Sequence, residues 1–432
     1  MKKIFLFAVC FVATAFLSVS EASFARVESM GKHATFFMDD VSIFDNAANM
    51  NVFPNFLIGE MGSYMQGDPD KDAKNHALQL TNEKTSVGDP RYNRDPENPW
   101  FGGIFSYSLG NKEDGNLYPQ ISLGGAFNRK DMELFSLLPD SVKLGKNTVV
   151  PEPVTNFDGF LGFTLKNGGM VGSHIYIAMQ EGADVNNGIV SSDTNGVPIL
   201  SHDISTYIFK GDLGLNWPLA RNIDGELSFG YAAVKFGDKI VKWDPSFFIK
   251  GRAFSTLEII NGELVPIFNY SHLNAPGQSK EILDFGLGVN ASLDRGFFWL
   301  GVEAIFAKSE RTGYSGRVYD PTNSTTKKDV IRGGKISFGI ERNIFFDWLV
   351  VRVGGQKLIA SHKIDGKSYY MYTNPISDGT ADDHIGWGVG LNIEEKLKVD
   401  ATMAEDFLYT FGNIFSGPQH HVLTRISATY SF

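Results

Sequence analysis

The residues that could do chemistry in this chain are few and scattered. Asp382-Asp383-His384 places two carboxylates beside an imidazole, as acid–base catalysis would need, but no acidic partner pair or nucleophile can be placed with them. Loop carboxylates are the better reading. His420 and His421 are adjacent on an extended stretch, so their side chains point to opposite faces and cannot share one ion from one side of a sheet. Asp68, Asp70 and Asp72 have the spacing that opens a calcium loop. Ala73 then stands where that loop needs glycine, and Gln79 stands where it needs a bidentate glutamate. Tyr369, Tyr370 and Tyr372 could stack on a carbohydrate, although an aromatic-rich loop folded over its own protein is commoner. No catalytic residue, metal site or cofactor is expected, and the chain is not expected to be an enzyme.

The pattern that organises the chain is instead one of strands. In residues 420–432, Val422, Thr424, Ile426, Ala428, Tyr430 and Phe432 fall on one side, and Leu423, Arg425, Ser427, Thr429 and Ser431 on the other. One face suits lipid and the other is mostly polar. Across 432 residues the chain carries 46 glycines and 13% aromatics, and it has no long apolar run after the N-terminus, which excludes a helical membrane protein. The net charge of -10 without a basic cluster argues against a nucleic-acid partner.

The strongest alternation lies in residues 283–306. Leu283, Phe285, Leu287, Val289, Ala291 and Leu293 oppose Asp284, Gly286, Gly288, Asn290, Ser292 and Asp294, and Phe298, Leu300, Val302, Ala304 and Phe306 form the next apolar face. Ile385, Trp387, Val389, Leu391 and Ile393 alternate with glycines and Asn392 in the same way. These strands run about eleven residues, enough to cross a bilayer at a tilt, whereas globular strands centre on about five or six. Asn167-Gly168 and Asn261-Gly262 mark tight hairpins. Short connections alternate with long ones at 62–99, 129–155, 180–202, 309–328 and 361–382. About sixteen strands result, with both termini on the side of the short turns. Trp100, Trp217, Trp299, Trp348, Tyr409, Tyr430 and Phe432 suit aromatic girdles at the two membrane interfaces.

Residues 1–25 have the form of a secretory signal. Lys2 and Lys3 precede the apolar stretch 4–17, and Ser23-Phe24-Ala25 is a small-x-small cleavage site, with Ala22 as an alternative cut. The single cysteine, Cys10, falls inside this segment, so the mature chain is expected to lack thiols and disulfides. Residues 26–51 follow, and although they do not alternate they contain Phe36, Phe37, Met38, Val41, Ile43 and Phe44, which need burial.

Within them, the stretch 40–49 (DVSIFDNAAN) resembles the segment around the Asn-Pro-Ala-Gly motif near the mature N-terminus of the long-chain fatty acid transporter (FadL-like) superfamily. Here Ala47 replaces the proline and Asn49 the glycine. The resemblance implies a bacterial outer-membrane barrel of fourteen strands whose N-terminal segment fills the lumen as a hatch. Phe37, Phe44, Asn46, Ala47, Ala48 and Asn49 would belong to that hatch. It also implies that the terminal strand, with Ile426, Tyr430 and Phe432, is the signal read by the barrel-assembly machinery. An arm packed on the periplasmic rim of an unrelated barrel is the alternative for 26–51.

The sequence is therefore read as all-β: a closed antiparallel transmembrane barrel of about 14–16 strands, residues 52–432, with a plug from 26–51. The resemblance implies a channel for small hydrophobic or amphipathic molecules in the outer membrane of a Gram-negative cell envelope, surrounded by lipid. A structural or adhesive barrel using the long loops, or a general diffusion porin, are the alternatives. If the terminal aromatic is an insertion signal, Phe432→Ala should lower the amount of protein in the outer-membrane fraction severalfold, and Ser431→Ala should not. Equal amounts of the two variants would remove that role.

Overall fold

The computed structural model describes residues 23–31, 34–65, 94–96, 99–110, 119–144, 146–181, 204–237, 245–315, 317–370, 384–394, 396–403 and 423–432. Sixteen strands run up and down in chain order: β1 (Phe56–Met65), β2 (Trp100–Ser108), β3 (Gln120–Phe127), β4 (Thr155–Thr164), β5 (Met170–Gln180), β6 (Thr206–Ala220), β7 (Ile223–Phe236) and β8 (Ser246–Leu257) form the first half. The second half is β9 (Gly262–Ala275), β10 (Gln278–Leu293), β11 (Gly296–Thr312), β12 (Thr326–Asn343), β13 (Leu349–Ile364), β14 (His384–Ile393), β15 (Leu397–Met403) and β16 (Leu423–Ser431). Each pairs antiparallel with its neighbours. The sheet closes because β1 pairs with β2 on one side, Phe56 opposite Ile104, and with β16 on the other, Phe56 opposite Ser431. The strand number is sixteen, as the count of alternating segments has it, and not the fourteen that the resemblance implies. Two short helices, α1 (Phe24–Ser29) and α2 (Met132–Phe135), lie inside this wall.

Alternation decides which way each side chain faces. Along β12, Ile336, Phe338 and Ile340 are exposed on the outer surface, while Lys335, Ser337 and Glu341 are buried within. The same holds along β10, where Phe285 and Leu287 face out and Asn290 faces in, and at the terminal strand, where Ile426 and Tyr430 face out and Arg425, Ser427 and Thr429 face in. An outer wall of Phe, Leu, Ile and Val around a polar inner wall is the reverse of a water-soluble protein. It is the surface that a bilayer requires, since closure leaves no backbone group unpaired in lipid.

Strand length varies around the barrel. β2 has 9 residues and β12 has 18. At about 3.3 Å per residue and a tilt near 40°, roughly ten residues cross a bilayer core. The longest strands therefore stand well above it. Their tops are polar on the outside as well, with Lys308, Glu310 and Lys328 joined by ion pairs of 3.0 and 3.2 Å.

The hairpins form where the sequence places turn residues. Asn261 takes a left-handed φ of 48° and Gly168 one of 85°, both of which asparagine and glycine tolerate best. β1 starts at Phe56 and not at 52, because Val52 closes a 3-10 turn and Pro54 has no N–H to give to a ladder. Between β6 and β7, β6 runs through Pro218 to Ala220 and leaves only Arg221 and Asn222 for the turn.

The connection between β3 and β4 departs most from the sequence reading. It does not stand free as an outer loop but folds into the barrel. Helix α2 and the residues after it bury Leu134, Phe135, Leu137, Leu138 and Val142 against Tyr176, Ala232, Phe236 and Leu273 of the inner wall. Because the closed sheet has no free edge, unboiled protein should resist SDS and migrate differently from boiled protein on a gel. Identical mobility would contradict closure.

Candidate functional site

The lower lumen is filled by the chain's own N-terminal segment. It enters at Ser23 as helix α1, then makes two 3-10 turns, Asp40–Phe44 and Ala47–Asn51, before Phe56 begins β1. Asx and Ser side chains start each turn. Ser23 accepts the Arg26 N–H, Asp39 accepts the Val41 N–H at 3.2 Å, and Asn46 accepts the Ala48 N–H at 3.1 Å. Those caps let a short, non-periodic segment satisfy its backbone in a space with little water.

The apolar residues of this segment make one cluster with the inner wall. Phe36 and Phe37 meet Trp299, with ring centroids 5.8 Å away in each case, and Phe44 meets Phe160 at 5.6 Å and Trp100 at 6.0 Å. Trp100 and Trp299 are therefore inward seats for the segment and not members of a girdle; they are 4% and 1% exposed. Trp217, Trp348, Tyr430 and Phe432 do lie on the outer surface. Tyr409 lies outside the described residues.

Phe37, Phe44, Asn46, Ala47, Ala48 and Asn49 are all buried in the lumen. The Asn46 amide donates to the Leu215 carbonyl, and Asn49 donates to Ser42 and Glu226. Glycines on the wall make room. A Cβ on Gly172 would meet the backbone of Ala47, and one on Gly301 would meet the Phe36 ring. The glycine-rich strands singled out in the sequence do face the segment, but they hold other parts of it. Gly288 lies against Phe36 and Gly388 against Ser29, while the Ala47-Ala48 turn sits on β5 and β6.

Ion pairs tie the segment to the wall. Arg26 donates to Asp39 at 2.8 Å and to both oxygens of Glu341 at 2.8 and 2.7 Å. Arg352 bridges Glu341 at 3.0 Å to Asp400 at 2.6 Å, and Ser23 donates to Asp400 at 3.1 Å. Arg425 of the terminal strand joins Glu28 to Glu60, which also accepts from the Trp100 indole. Higher up, Arg129 pairs with Asp158 and lies 4.0 Å over the Phe44 ring. The inward connection is anchored similarly, through Lys210 and Asp131 at 3.1 Å; burial would raise the Asp131 carboxyl, but Lys210 and Arg129 hold it well below the usual range.

Between the N-terminal segment and the inward connection lies a cavity of about 280 Å³. Thr35, Asp45 and Asn46 form its floor, Glu133 of α2 reaches it from the inward connection, and β7 to β10 form its side. No sequence motif pointed to it, because its residues come from widely separated stretches. The density of apolar residues at 132–138 was the available signal that this connection is buried. Asp68, Asp70, Asp72, Tyr372, Asp382, Asp383, His420 and His421 lie outside the described residues. Among the described residues, no group of three or more His, Cys, Asp or Glu is arranged to hold a metal.

No family model matches this sequence, and no curated protein does. Solved structures with a similar arrangement include CdiB from Acinetobacter baumannii, with 11% identity, a TM-score of 0.40 and coverage of 88% of this chain and 59% of that one. This chain spans under two thirds of the length of the CdiB chains from Acinetobacter baumannii and Escherichia coli. The CymD monoaromatic hydrocarbon channel has 10% identity, a TM-score of 0.39 and coverage of 94% and 97%, and OmpT of Vibrio cholerae has 10% identity, a TM-score of 0.31 and coverage of 88% and 97%. The likeness is one of barrel architecture.

Removing Arg26 would leave Asp39 and Glu341 buried without a shared cation, a loss of about 3–5 kcal/mol for a pair of this kind. Arg26→Ala should therefore loosen the segment. With Ser42→Cys as a reporter in this region, maleimide should label the cysteine slowly in the parent and at least tenfold faster in the Arg26→Ala background. Equal rates would show that the ion pairs do not hold the segment.

Proposed function

We propose that this protein is a plugged outer-membrane channel for small hydrophobic or amphipathic molecules. The observation that carries the reading is the filled lumen. A sixteen-strand barrel is wide enough to leave a water-filled pore, yet here the described residues between 23 and 53 occupy it with an apolar cluster and a network of ion pairs. A general diffusion porin would keep that space open. An adhesive barrel would hold its long connections outward, whereas the connection between β3 and β4 is packed inside. The resemblance of residues 40–49 to the FadL-like hatch supports the same reading.

Passage then requires the plug to shift, and the site does positioning and exclusion in place of chemistry. Export by a cleaved signal and insertion by the barrel-assembly machinery belong to this proposal. Of the two candidate cuts, the one after Ala22 leaves Ser23 in place to cap α1 and to bond Asp400; the cut after Ala25 would discard both contacts.

Deleting residues 27–51 should leave a barrel that still migrates as folded on an unboiled gel and conducts strongly in planar bilayers, while the intact protein conducts little. Matching conductance before and after deletion would mean that the segment is not a plug.

A further inference from the structure

The cavity between the plug and the inward connection has a charge imbalance that the ion pairs do not remove. Its walls carry four carboxylates, Asp45, Glu133, Glu226 and Asp284, against two cations, Lys250 and Arg252. Both cations are already engaged. Lys250 pairs with Asp45, and Arg252 donates to Glu226 at 2.7 Å, to the carbonyls of Ala34, Thr35 and Phe37, and to the Met38 sulfur.

Part of the acceptor capacity is not. Glu226 is 6% exposed; its Oε2 takes the Arg252 and Asn49 bonds, and its Oε1 has no partner among the described residues. The Ser228 hydroxyl and Asp284 Oδ1 are likewise buried without one. Buried acceptors left over beside a surplus of carboxylates cost free energy unless a donor arrives.

The shape of the site narrows what that donor is. No metal-ligating group of three or more forms among the described residues, so the carboxylates do not converge on a single small ion. They face a space of about 280 Å³, near the lower end of small-molecule sites, with the side chain of Ile282 as an apolar part of its wall. We infer that this cavity is a lumenal subsite for a small organic cation, an ammonium group carried on an apolar or aromatic body. The ammonium meets Asp284 and Glu133 and donates to Glu226 Oε1, and the body lies toward Ile282. This deepens the channel reading and rests on it, selecting amphipathic amines among the small molecules that could pass.

The test measures binding alone, by calorimetry on the intact protein in detergent at low salt, with 2-phenylethylammonium as the probe and 2-phenylethanol and phenylacetate as its neutral and anionic counterparts. The cation should bind at least tenfold more tightly than either counterpart. Asp284→Asn combined with Glu133→Gln, which disturbs none of the plug's ion pairs, should weaken the cation about tenfold and leave the alcohol unchanged, with an unboiled gel showing that the variant is folded. Equal binding of the alcohol, tighter binding of phenylacetate, or an unchanged affinity in the double variant would overturn the subsite. Conductance after plug deletion reads the channel separately: a strong conductance without cation binding removes the subsite alone, and cation binding without a conductance change removes the channel.

Discussion

Closure at sixteen strands is the constraint on which the rest depends. Eight strands make a barrel whose own side chains fill it, but at sixteen the inner walls no longer meet. A lumen of that width is either water or additional chain. Here it is additional chain, supplied from both sides: the N-terminal segment through β1 and the inward connection between β3 and β4. The two apolar clusters that result do for this barrel what a core does for a soluble domain, while the outer face leaves its apolar residues to lipid.

The inner wall is accordingly specialised around its circumference. On β2, β4, β9 and β11 the wall offers the plug Trp100, Phe160, Ile267 and Trp299 together with glycines, and on β12, β13, β15 and β16 it offers Glu341, Arg352, Asp400 and Arg425. Apolar contact resists water, and charged contact tolerates it. The plug is therefore held by two interactions of different kinds, one set by packing against flat aromatic and glycine surfaces and one by electrostatics that weaken as water and salt enter.

Much of the wall was legible in the sequence because a period of two leaves a long trace. Residues 283–306 and 385–393 could be assigned face by face, and their faces are those of the structure. The same parity already placed Trp299 inside, opposite in phase to Leu300 and Val302, but aromatic type suggested an interface instead. The phase carried more physical information than the residue. Strand number was legible in the same way: the alternating segments and their turns gave about sixteen, the number in the structure, whereas fourteen came from the resemblance alone. The cavity could not be read at all, since Asp45, Glu133, Glu226 and Asp284 are neighbours only once the barrel has closed. Likewise the landing place of Ala47 and Ala48 on β5 and β6 depends on how the segment crosses the lumen, which no local pattern records.

The placement of α1 also bears on the order in which the molecule can be built. Ser23 bonds Asp400 and the Ala25 carbonyl accepts from Thr402, both on β15, while Glu28 pairs with Arg425 on β16, the strand that completes the seam with β1. The first described residues of the chain thus rest on its last strands. They emerge long before those strands exist, so α1 has no finished seat until the far end of the chain arrives. The contacts of α1 with β15 and β16 are therefore among the last that the chain can make, and the N-terminal segment takes its final seat only once both strands are in place.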